Sequence, residues 1–139
     1  MSGGSNSYRD LIAWQEAMEL THSVYELTSH FPEAEKFGLT SQMRRAAVSV
    51  ASNIAEGQGR NSKGEFIQFL GHARGSLQEV ETQLLVAERR KFAASDQVAV
   101  LMKQCDKVRR LLNGLINSLR DPVVSAGVQT GNWKRETGN

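Results

Sequence analysis

The sequence predicts an all-α protein, an antiparallel up-and-down bundle of four helices. Apolar residues recur at helical spacing in four segments joined by short connectors, and no segment alternates polar and apolar residues as a strand does. With 139 residues and a mass of 15.4 kDa, the chain suffices for one domain with a modest core. We predict a bundle over residues 8–121, a flexible leader or cloning remnant over residues 1–7, and a disordered tail, rich in small polar residues, over residues 122–139.

The first predicted helix covers residues 10–29, with Ser7 or Asp10 as its N-cap, because either side chain can accept a hydrogen bond from a free backbone amide. Pro32 ends it, since a proline disfavours helical geometry at the preceding residue, Phe31. We expect one stripe to face the core because its members recur every three or four residues. The stripe consists of Leu11, Trp14, Met18, Thr21 and Tyr25, with Ala17 and Val24 beside it.

The second predicted helix starts at Leu39, with Thr40 or Ser41 as its cap, and ends at Gly57-Gln58-Gly59, where glycine permits a left-handed turn. Many of its residues are alanine or serine, so a neighbouring helix can approach its backbone closely. Large core side chains must therefore come from other helices. The predicted buried face is Leu39, Met43, Ala46, Ala47, Val50, Ile54 and Gly57.

The third predicted helix starts at Ser62-Lys63-Gly64-Glu65, a capping box in which the serine and the glutamate each accept from the other's free amide. It continues to the basic run Arg89-Arg90-Lys91. Gly71 and Gly75 each lower helix stability by roughly 1 kcal/mol relative to alanine, so we expect them to permit close contact with the second helix. The apolar positions are Phe66, Phe69, Leu70, Ala73, Leu77, Val80, Leu84 and Ala87.

The fourth predicted helix is capped by Ser95 and stops at Asp121-Pro122. Its apolar residues form one seam, which is typical of a helix with a single buried face. The seam consists of Val98, Leu101, Met102, Cys105, Val108, Leu112, Leu115, Ile116 and Leu119.

The overall charge is nearly balanced, with 17 Lys and Arg residues against 15 Asp and Glu residues, a formal charge of +2 and a pI near 8.9. That balance permits nucleic-acid binding, which then depends on local clusters. Cys105 is the only cysteine, which excludes an internal disulfide. Because no apolar run approaches the roughly 18 residues of a membrane span and residues 1–7 do not resemble a signal peptide, we expect a cytoplasmic protein with no membrane partner.

Four strings of irregular polar and apolar order resemble the four-helix-bundle proteins encoded in bacterial 23S ribosomal RNA intervening sequences. The strings are YRDLIAWQ at residues 8–15, FPEAEKFGLTSQMRR at 31–45, NIAEGQGR at 53–60 and ARGSLQE at 73–79. The resemblance covers residues 8–120 and implies assembly into a ring-like homopentamer. The chain is more distantly similar to accessory proteins of diversity-generating retroelements, which implies nucleic acid and a reverse transcriptase as partners. Two strings depart from the family pattern: Ala51 stands where proline is common, and Arg89-Arg90-Lys91 is more basic.

Basic residues in two regions are the candidate nucleic-acid contacts, because lysine and arginine bind phosphates without reading base sequence. One region is the turn between the second and third helices, and the other joins the end of the third helix to the fourth. The candidates are Arg60, Lys63, Arg89, Arg90, Lys91, Lys103, Lys107, Arg109 and Arg110. A solvated charged face is the alternative for the last seven. No aromatic residue interleaves these runs, which favours backbone or shape recognition of structured RNA over base stacking.

A second polar group falls on faces that pack against other helices, where charges require partners. We expect Arg45 and Arg74 to form ion pairs with Glu56 or Glu79, whereas phosphate contact is the alternative for these two arginines and for Arg44. The expected structural network is Arg45, Asn53, Glu56, Arg74 and Glu79.

Strings that resemble catalytic or metal sites are incomplete. Glu19 and His22 have the Glu-x-x-His spacing of a di-iron bundle, but no second such string exists. The glycine loop at residues 57–64 is followed by Glu65, where a phosphate-binding P-loop has lysine. Cys105 lies in an apolar seam, where a buried thiol is expected. We predict no metal, no cofactor and no enzymatic activity.

Two classes of function remain. The first is a non-enzymatic, oligomeric accessory protein that contacts structured RNA through its basic clusters. The second is a protein-interaction scaffold that recruits a partner, such as a reverse transcriptase, through an exposed face of the oligomer. Added salt separates them, because phosphate contacts weaken steeply with ionic strength.

Overall fold

The structure, a computed structural model, describes residues 7–120. It contains four helices, α1 (Ile12–Thr28), α2 (Leu39–Gln58), α3 (Lys63–Arg89) and α4 (Ser95–Arg120), with short 3-10 turns at Tyr8–Asp10 and Glu33–Glu35. This part of the chain has no strand, which confirms the all-α prediction. The predicted tail, the predicted stop at Asp121-Pro122 and the leader other than Ser7 lie outside the described residues.

Contacts between α2 and α3 show that these two helices run in opposite directions. Near the end of α2, Gly57 lies against Phe66 and Phe69 at the start of α3. Earlier in α2, the hydroxyl of Ser49 lies 2.8 Å from that of Ser76, farther along α3. The contact between α2 and α3 is the most extensive of the interhelical contacts.

The other neighbouring helices are also antiparallel. Thr21 Oγ1 donates to the carbonyl of Ala47 at 3.2 Å, and Arg44 Nε donates to Thr28 Oγ1 at 2.8 Å. Helix α4 packs against both α3 and α1, which closes the four-helix arrangement. The polar pairs across α4 are Arg74 with Asn113, Glu81 with Arg109, and Glu16 with Lys107. The helices therefore form an antiparallel up-and-down bundle around one continuous apolar core.

The core face of α1 differs from the predicted stripe. Met18 and Tyr25 are 43% and 42% exposed, whereas Ala17, Leu20 and Val24 are completely buried. Alanines and leucines share this face, which packs against α2 and α4, and the two exposed residues lie outside it. The prediction was wrong for Met18 and Tyr25 and missed Leu20, whereas Leu11 is buried as predicted.

Three predicted caps also differ. Helix α1 begins at Ile12 rather than residue 10, and Ser7 instead caps the preceding 3-10 turn by accepting from the amide of Arg9. Two helices receive their caps from side chains outside the predicted positions. Glu35 Oε1 accepts from the amide of Leu39 at 3.0 Å, and Gln97 Oε1 accepts from the amide of Ala94 at 2.9 Å. Helix α2 starts at Leu39 as predicted, whereas α4 already includes its predicted cap, Ser95, as its first residue. Asp10, Thr40 and Ser41 do not provide the caps.

The predicted start of α3 is confirmed, since Ser62 is the N-cap and its Oγ accepts from the amide of Glu65 at 3.1 Å, which is the serine half of the predicted capping box. The interpretation of the glycines in α3 was wrong. A Cβ added at Gly71 or Gly75 would meet no atom within 4 Å, so neither residue permits a close helix contact. Gly57 does so instead: an added Cβ would lie 2.8 Å from Phe69 Cβ and 2.9 Å from Phe66 Cδ1.

Candidate nucleic-acid interface

The predicted basic residues of α3 lie at opposite ends of the bundle. Lys63 is the first residue of this 27-residue helix and Arg89 is the last. At about 1.5 Å per residue, roughly 40 Å separates them. The chain therefore presents two separate basic regions rather than one footprint.

The region at the α2–α3 turn is largely neutralised. Arg60 Nη2 lies 2.7 Å from Glu56 Oε2, and its guanidinium carbon lies 4.7 Å from the centre of the Phe69 ring. Arg60 would have to leave both partners to contact a phosphate. Lys63 is half-buried, and no carboxylate of the described residues lies within ion-pair distance of its ammonium group.

The region at the end of α3 keeps its charge. Arg89, Arg90 and Lys91, here called the α3 tip, are all exposed, and no carboxylate within residues 7–120 forms an ion pair with any of them. Arg90 contacts the face of the Phe92 ring at 5.8 Å, which positions its side chain and leaves its charge unopposed. The α3 tip thus presents three adjacent cations to solvent.

The backbone that follows α3 holds the tip in place. Phe92 N donates to the carbonyl of Ala87 at 2.9 Å, and Lys91 N donates to that of Glu88 at 3.0 Å, which is the hydrogen-bond pattern of a Schellman motif. Lys91 has a φ of 63°, the left-handed conformation this motif requires. The Phe92 ring packs 5.7 Å from that of Phe31, which anchors the turn to the core.

The predicted cations of α4 are mostly paired. Lys107 Nζ lies 3.3 Å from Glu16 Oε2 on α1, and Arg110 Nε lies 3.3 Å from Asp106 Oδ2. Arg109 forms ion pairs with Asp106 and with Glu81 on α3. Lys103 is exposed and has no ion pair with a described residue. Three of these four cations therefore connect or brace helices.

The predicted polar network is wrong in its pairings. Arg74 Nη1 donates to Asn113 Oδ1 at 3.0 Å, and Arg45 is exposed without an ion pair in the described chain. Glu56 is taken by Arg60 because residues four apart lie on the same helix face. The remaining members bond locally: Asn53 donates to Ser49 Oγ at 3.0 Å, and Glu79 accepts from Gln83 at 3.5 Å.

A groove between α1 and the start of α2 was not expected from the sequence. Its volume is about 700 Å³, and its lining includes the rings of Tyr25 and Phe37 and the cations Lys36, Arg44 and Arg45. The motif search missed it because these residues come from three separate segments. A usable signal was present, since Phe37 is an aromatic residue that follows Glu33, Glu35 and Lys36 in a polar stretch of the connector.

The thiol of Cys105 is buried in the seam of α4, and this burial raises its pKa from the ordinary value of 9.0 to about 12. A thiol in this state is a poor nucleophile at neutral pH. His22 lies on the surface of α1, 3.7 Å from Glu26, rather than beside Glu19 in a metal site. Across residues 7–120, no three His, Cys, Asp or Glu side chains are grouped so that they could hold a metal ion.

None of the described helices combines the length and the apolar character needed to cross a bilayer.

The fold and its surfaces define a four-helix-bundle protein with three adjacent unpaired cations at the α3 tip and, in the described chain, no group of side chains that could hold a metal ion. The chain belongs to the 23S rRNA-intervening sequence protein family, whose model matches residues 9–114. Its fold is similar to the crystal structure of a protein of unknown function from the S23 ribosomal protein family of Bacteroides thetaiotaomicron. That likeness has a TM-score of 0.68 and 21% sequence identity, and it covers 76% of this chain and 98% of the other. No curated protein matches this chain significantly.

Proposed function

We propose that this chain is a non-enzymatic, cytoplasmic accessory protein that binds the sugar-phosphate backbone of structured RNA. The family name associates these proteins with 23S rRNA, which makes a folded RNA the favoured ligand. Recognition of the backbone by shape and charge suits a rigid helical surface, because the grooves of an RNA duplex expose phosphates and 2′-hydroxyls.

The observation that supports this proposal is the unopposed charge of the α3 tip. Arg89, Arg90 and Lys91 can approach phosphates without first breaking an ion pair. By contrast, Arg60, Lys107, Arg109 and Arg110 must give up carboxylate partners, and each exchange reduces the net gain from RNA contact. We therefore assign the main RNA contact to the α3 tip, with Lys63 and Lys103 as peripheral contacts.

We further propose that the protein acts as a homopentameric ring, on the strength of the resemblance to its family. Rotation about a ring axis keeps each copy of the α3 tip at the same height, so all copies face the same side. Such repetition multiplies phosphate contacts and raises avidity for an extended RNA. Sedimentation equilibrium measures the assembly mass, and a monomer at micromolar concentration would contradict this part of the proposal.

The RNA proposal is tested with the variant Arg89→Gln/Arg90→Gln/Lys91→Gln and a labelled RNA hairpin, by fluorescence anisotropy at several salt concentrations. We expect at least a tenfold loss of affinity in 100 mM salt. We also expect the slope of log affinity against log salt to fall by about 2 to 3, since each lost phosphate contact removes roughly 0.7 to 0.9.

The matched control is Gln68→Glu/Gln78→Glu/Asn117→Asp, which lowers the net charge by the same three units at exposed positions away from the tip. We expect this control to lose less than threefold in affinity. Equal losses of affinity in the two variants would show that overall charge, and not the α3 tip, determines RNA binding. An unchanged affinity in the tip variant would also overturn the proposal.

A further inference from the structure

The groove between α1 and α2 combines flat rings with positive charge. Phe37 is 88% exposed, the largest exposure among the large hydrophobic residues described, although it lies beside the packed start of α2. On the facing side, the guanidinium carbon of Arg44 lies 4.6 Å from the centre of the Tyr25 ring. The Arg44 side chain is fixed there by its hydrogen bond to Thr28 Oγ1. The groove thus has one exposed ring, whose centre lies 5.7 Å from Lys36 Nζ, and one preformed arginine–tyrosine stack.

The charges lining this groove are all positive. Lys36, Arg44 and Arg45 contribute three cations, and no carboxylate belongs to the lining. Arg45 has no ion pair within the described chain. Lys36 Nζ lies 4.0 Å from Glu33 Oε2, on a side chain that is almost fully exposed, and 5.7 Å from the centre of the Phe37 ring. An occupant is therefore expected to carry negative charge.

We propose that this groove binds an unpaired nucleotide, with its base stacked on Phe37 and its phosphate held by Arg45 and Lys36. A polyanion with flat apolar groups matches both features of the lining, because any base can stack on an exposed ring while cations follow the backbone. The hydroxyls of Ser41 and Ser52 supply further donors for phosphate and sugar oxygens.

The composition of the lining favours a nucleotide over an acidic peptide. A groove that holds a peptide helix usually offers several aliphatic or methionine side chains to its anchors. Here Val48 is the only aliphatic residue of the lining. Most of the other lining groups are hydroxyls and cations, which suit phosphates better than leucine or isoleucine side chains.

The position of the groove fits the proposed RNA surface. Helices α2 and α3 are antiparallel and are joined by the contact between Ser49 and Ser76. The start of α2 therefore lies at the same end of the bundle as the α3 tip. A duplex on the tip can therefore continue into an unpaired segment that reaches the groove. This inference adds a second surface to the proposed function, and its own test does not require the tip to bind.

The test compares a labelled twelve-nucleotide oligouridine with a fully paired RNA hairpin, using Phe37→Ala and Arg45→Gln. We expect Phe37→Ala to weaken oligouridine binding about tenfold, which is the typical effect of losing one stacked base. We expect Arg45→Gln to weaken it about threefold and to reduce the salt slope by roughly 0.7. Hairpin affinity is expected to change less than twofold in both variants.

A strand carrying 2-aminopurine reports stacking directly, since its fluorescence is quenched when the base stacks on Phe37 and recovers in Phe37→Ala. The matched control is Val100→Ala/Arg120→Gln, which removes one exposed apolar group and one exposed cation from α4. We expect this control to bind the oligouridine with unchanged affinity.

Three results would overturn the inference. Equal oligouridine affinity in Phe37→Ala and the parent would show that no base stacks on Phe37. A change in sedimenting mass in Phe37→Ala assigns the groove to a subunit interface. An Asp- and Glu-rich peptide that binds the parent but not Phe37→Ala assigns it to a protein partner. Loss of oligouridine binding in the groove variants, with full hairpin binding by the tip variant, would overturn only the proposed function.

Discussion

Gly57 sets the distance between α2 and α3 at one point. An added Cβ would lie 2.8 Å from the Cβ of Phe69 and 3.3 Å from the carbonyl oxygen of Phe66. Both neighbours are held by the helix that carries them, so the clash cannot be relieved by rotating a flexible side chain. A close approach of this kind explains a glycine in a buried helical position.

We predict that Gly57→Ala destabilises the protein by about 1 to 2 kcal/mol. Overpacking costs about 1 to 3 kcal/mol, whereas the better helix propensity of alanine returns up to about 1 kcal/mol. Urea unfolding followed by circular dichroism measures the change in midpoint. The control Gly75→Ala, at an exposed site with open space around its Cβ, is expected to stabilise by up to about 1 kcal/mol. A stabilised Gly57→Ala would contradict the close contact.

Single arginines show why predicted ion pairs were wrong. Arg74 and Arg45 were assigned to carboxylates by their places on the helical pattern, yet Arg74 reaches Asn113 and Arg45 faces the groove. The choice of partner depends on which side chain of another helix lies within a few ångströms. That distance is a property of packing, which helical periodicity along one segment does not specify.

At the scale of helices, Lys91 at the end of α3 affects both the stability of the fold and the charge of the proposed binding surface. Lys91 adopts the left-handed conformation in which the Cβ of an L-residue is crowded, at a cost of roughly 1 to 2 kcal/mol. Glycine is the usual residue at this position of a Schellman motif. A lysine at this position therefore adds a positive charge to the tip but makes the fold less stable than a glycine would.

We predict that Lys91→Gly stabilises the protein by about 0.5 to 1 kcal/mol, because the relief of crowding exceeds the added entropy of the unfolded chain. The same variant is expected to bind the RNA hairpin about two- to fourfold more weakly, since one cation is lost. Urea midpoints and anisotropy titrations measure the two effects. Lys91→Gln, which loses the charge but keeps a Cβ, is the control, and it is expected to weaken binding without stabilising the fold.

The ends of the helices were easier to predict than their caps. The breaks at Pro32 and Ser62 follow from local backbone chemistry, and the helices end or start within a few residues of them. Helix α2 ends at Gln58, inside the predicted stretch, but Gly59 has a φ of −84° and does not form the predicted left-handed turn. The caps from Glu35 and Gln97 depend on where connecting turns direct a side chain. A prediction based only on the residues next to the helix start does not identify these two capping side chains.

At the scale of the whole molecule, the reactivity of the Cys105 thiol measures how often the bundle unfolds. Its thiol is completely buried against neighbouring apolar residues, and burial raises its pKa to about 12. Reagents that modify thiols therefore need the bundle to open. We expect Cys105 to react with Ellman's reagent at pH 8 only at the rate of unfolding, and to react within seconds in 6 M guanidinium.

The same pKa predicts a loss of stability in alkali. Above pH 9 the thiol of the unfolded chain loses its proton, whereas the folded thiol keeps its proton until about pH 12, so rising pH favours unfolding across this window. Between pH 8 and pH 11, the parent should lose about 2 to 3 kcal/mol more stability than Cys105→Ala. Urea unfolding at both pH values measures the difference. Equal losses in the two proteins would contradict the buried neutral thiol.

The sequence by itself determined the helical class, the four segments, the apolar seams of α3 and α4 and the start of α3 at Ser62, because these depend on periodicity and local backbone chemistry. Only the tertiary structure decided which cations remain unopposed. In the folded chain, Arg60 and Arg109 form ion pairs with carboxylates, the α3 tip has no ion pair with a described residue, and Phe37 and Arg45 line the same groove. The physical reason is that electrostatic pairing and stacking act over a few ångströms between side chains that are distant along the chain, and only helix packing sets those distances.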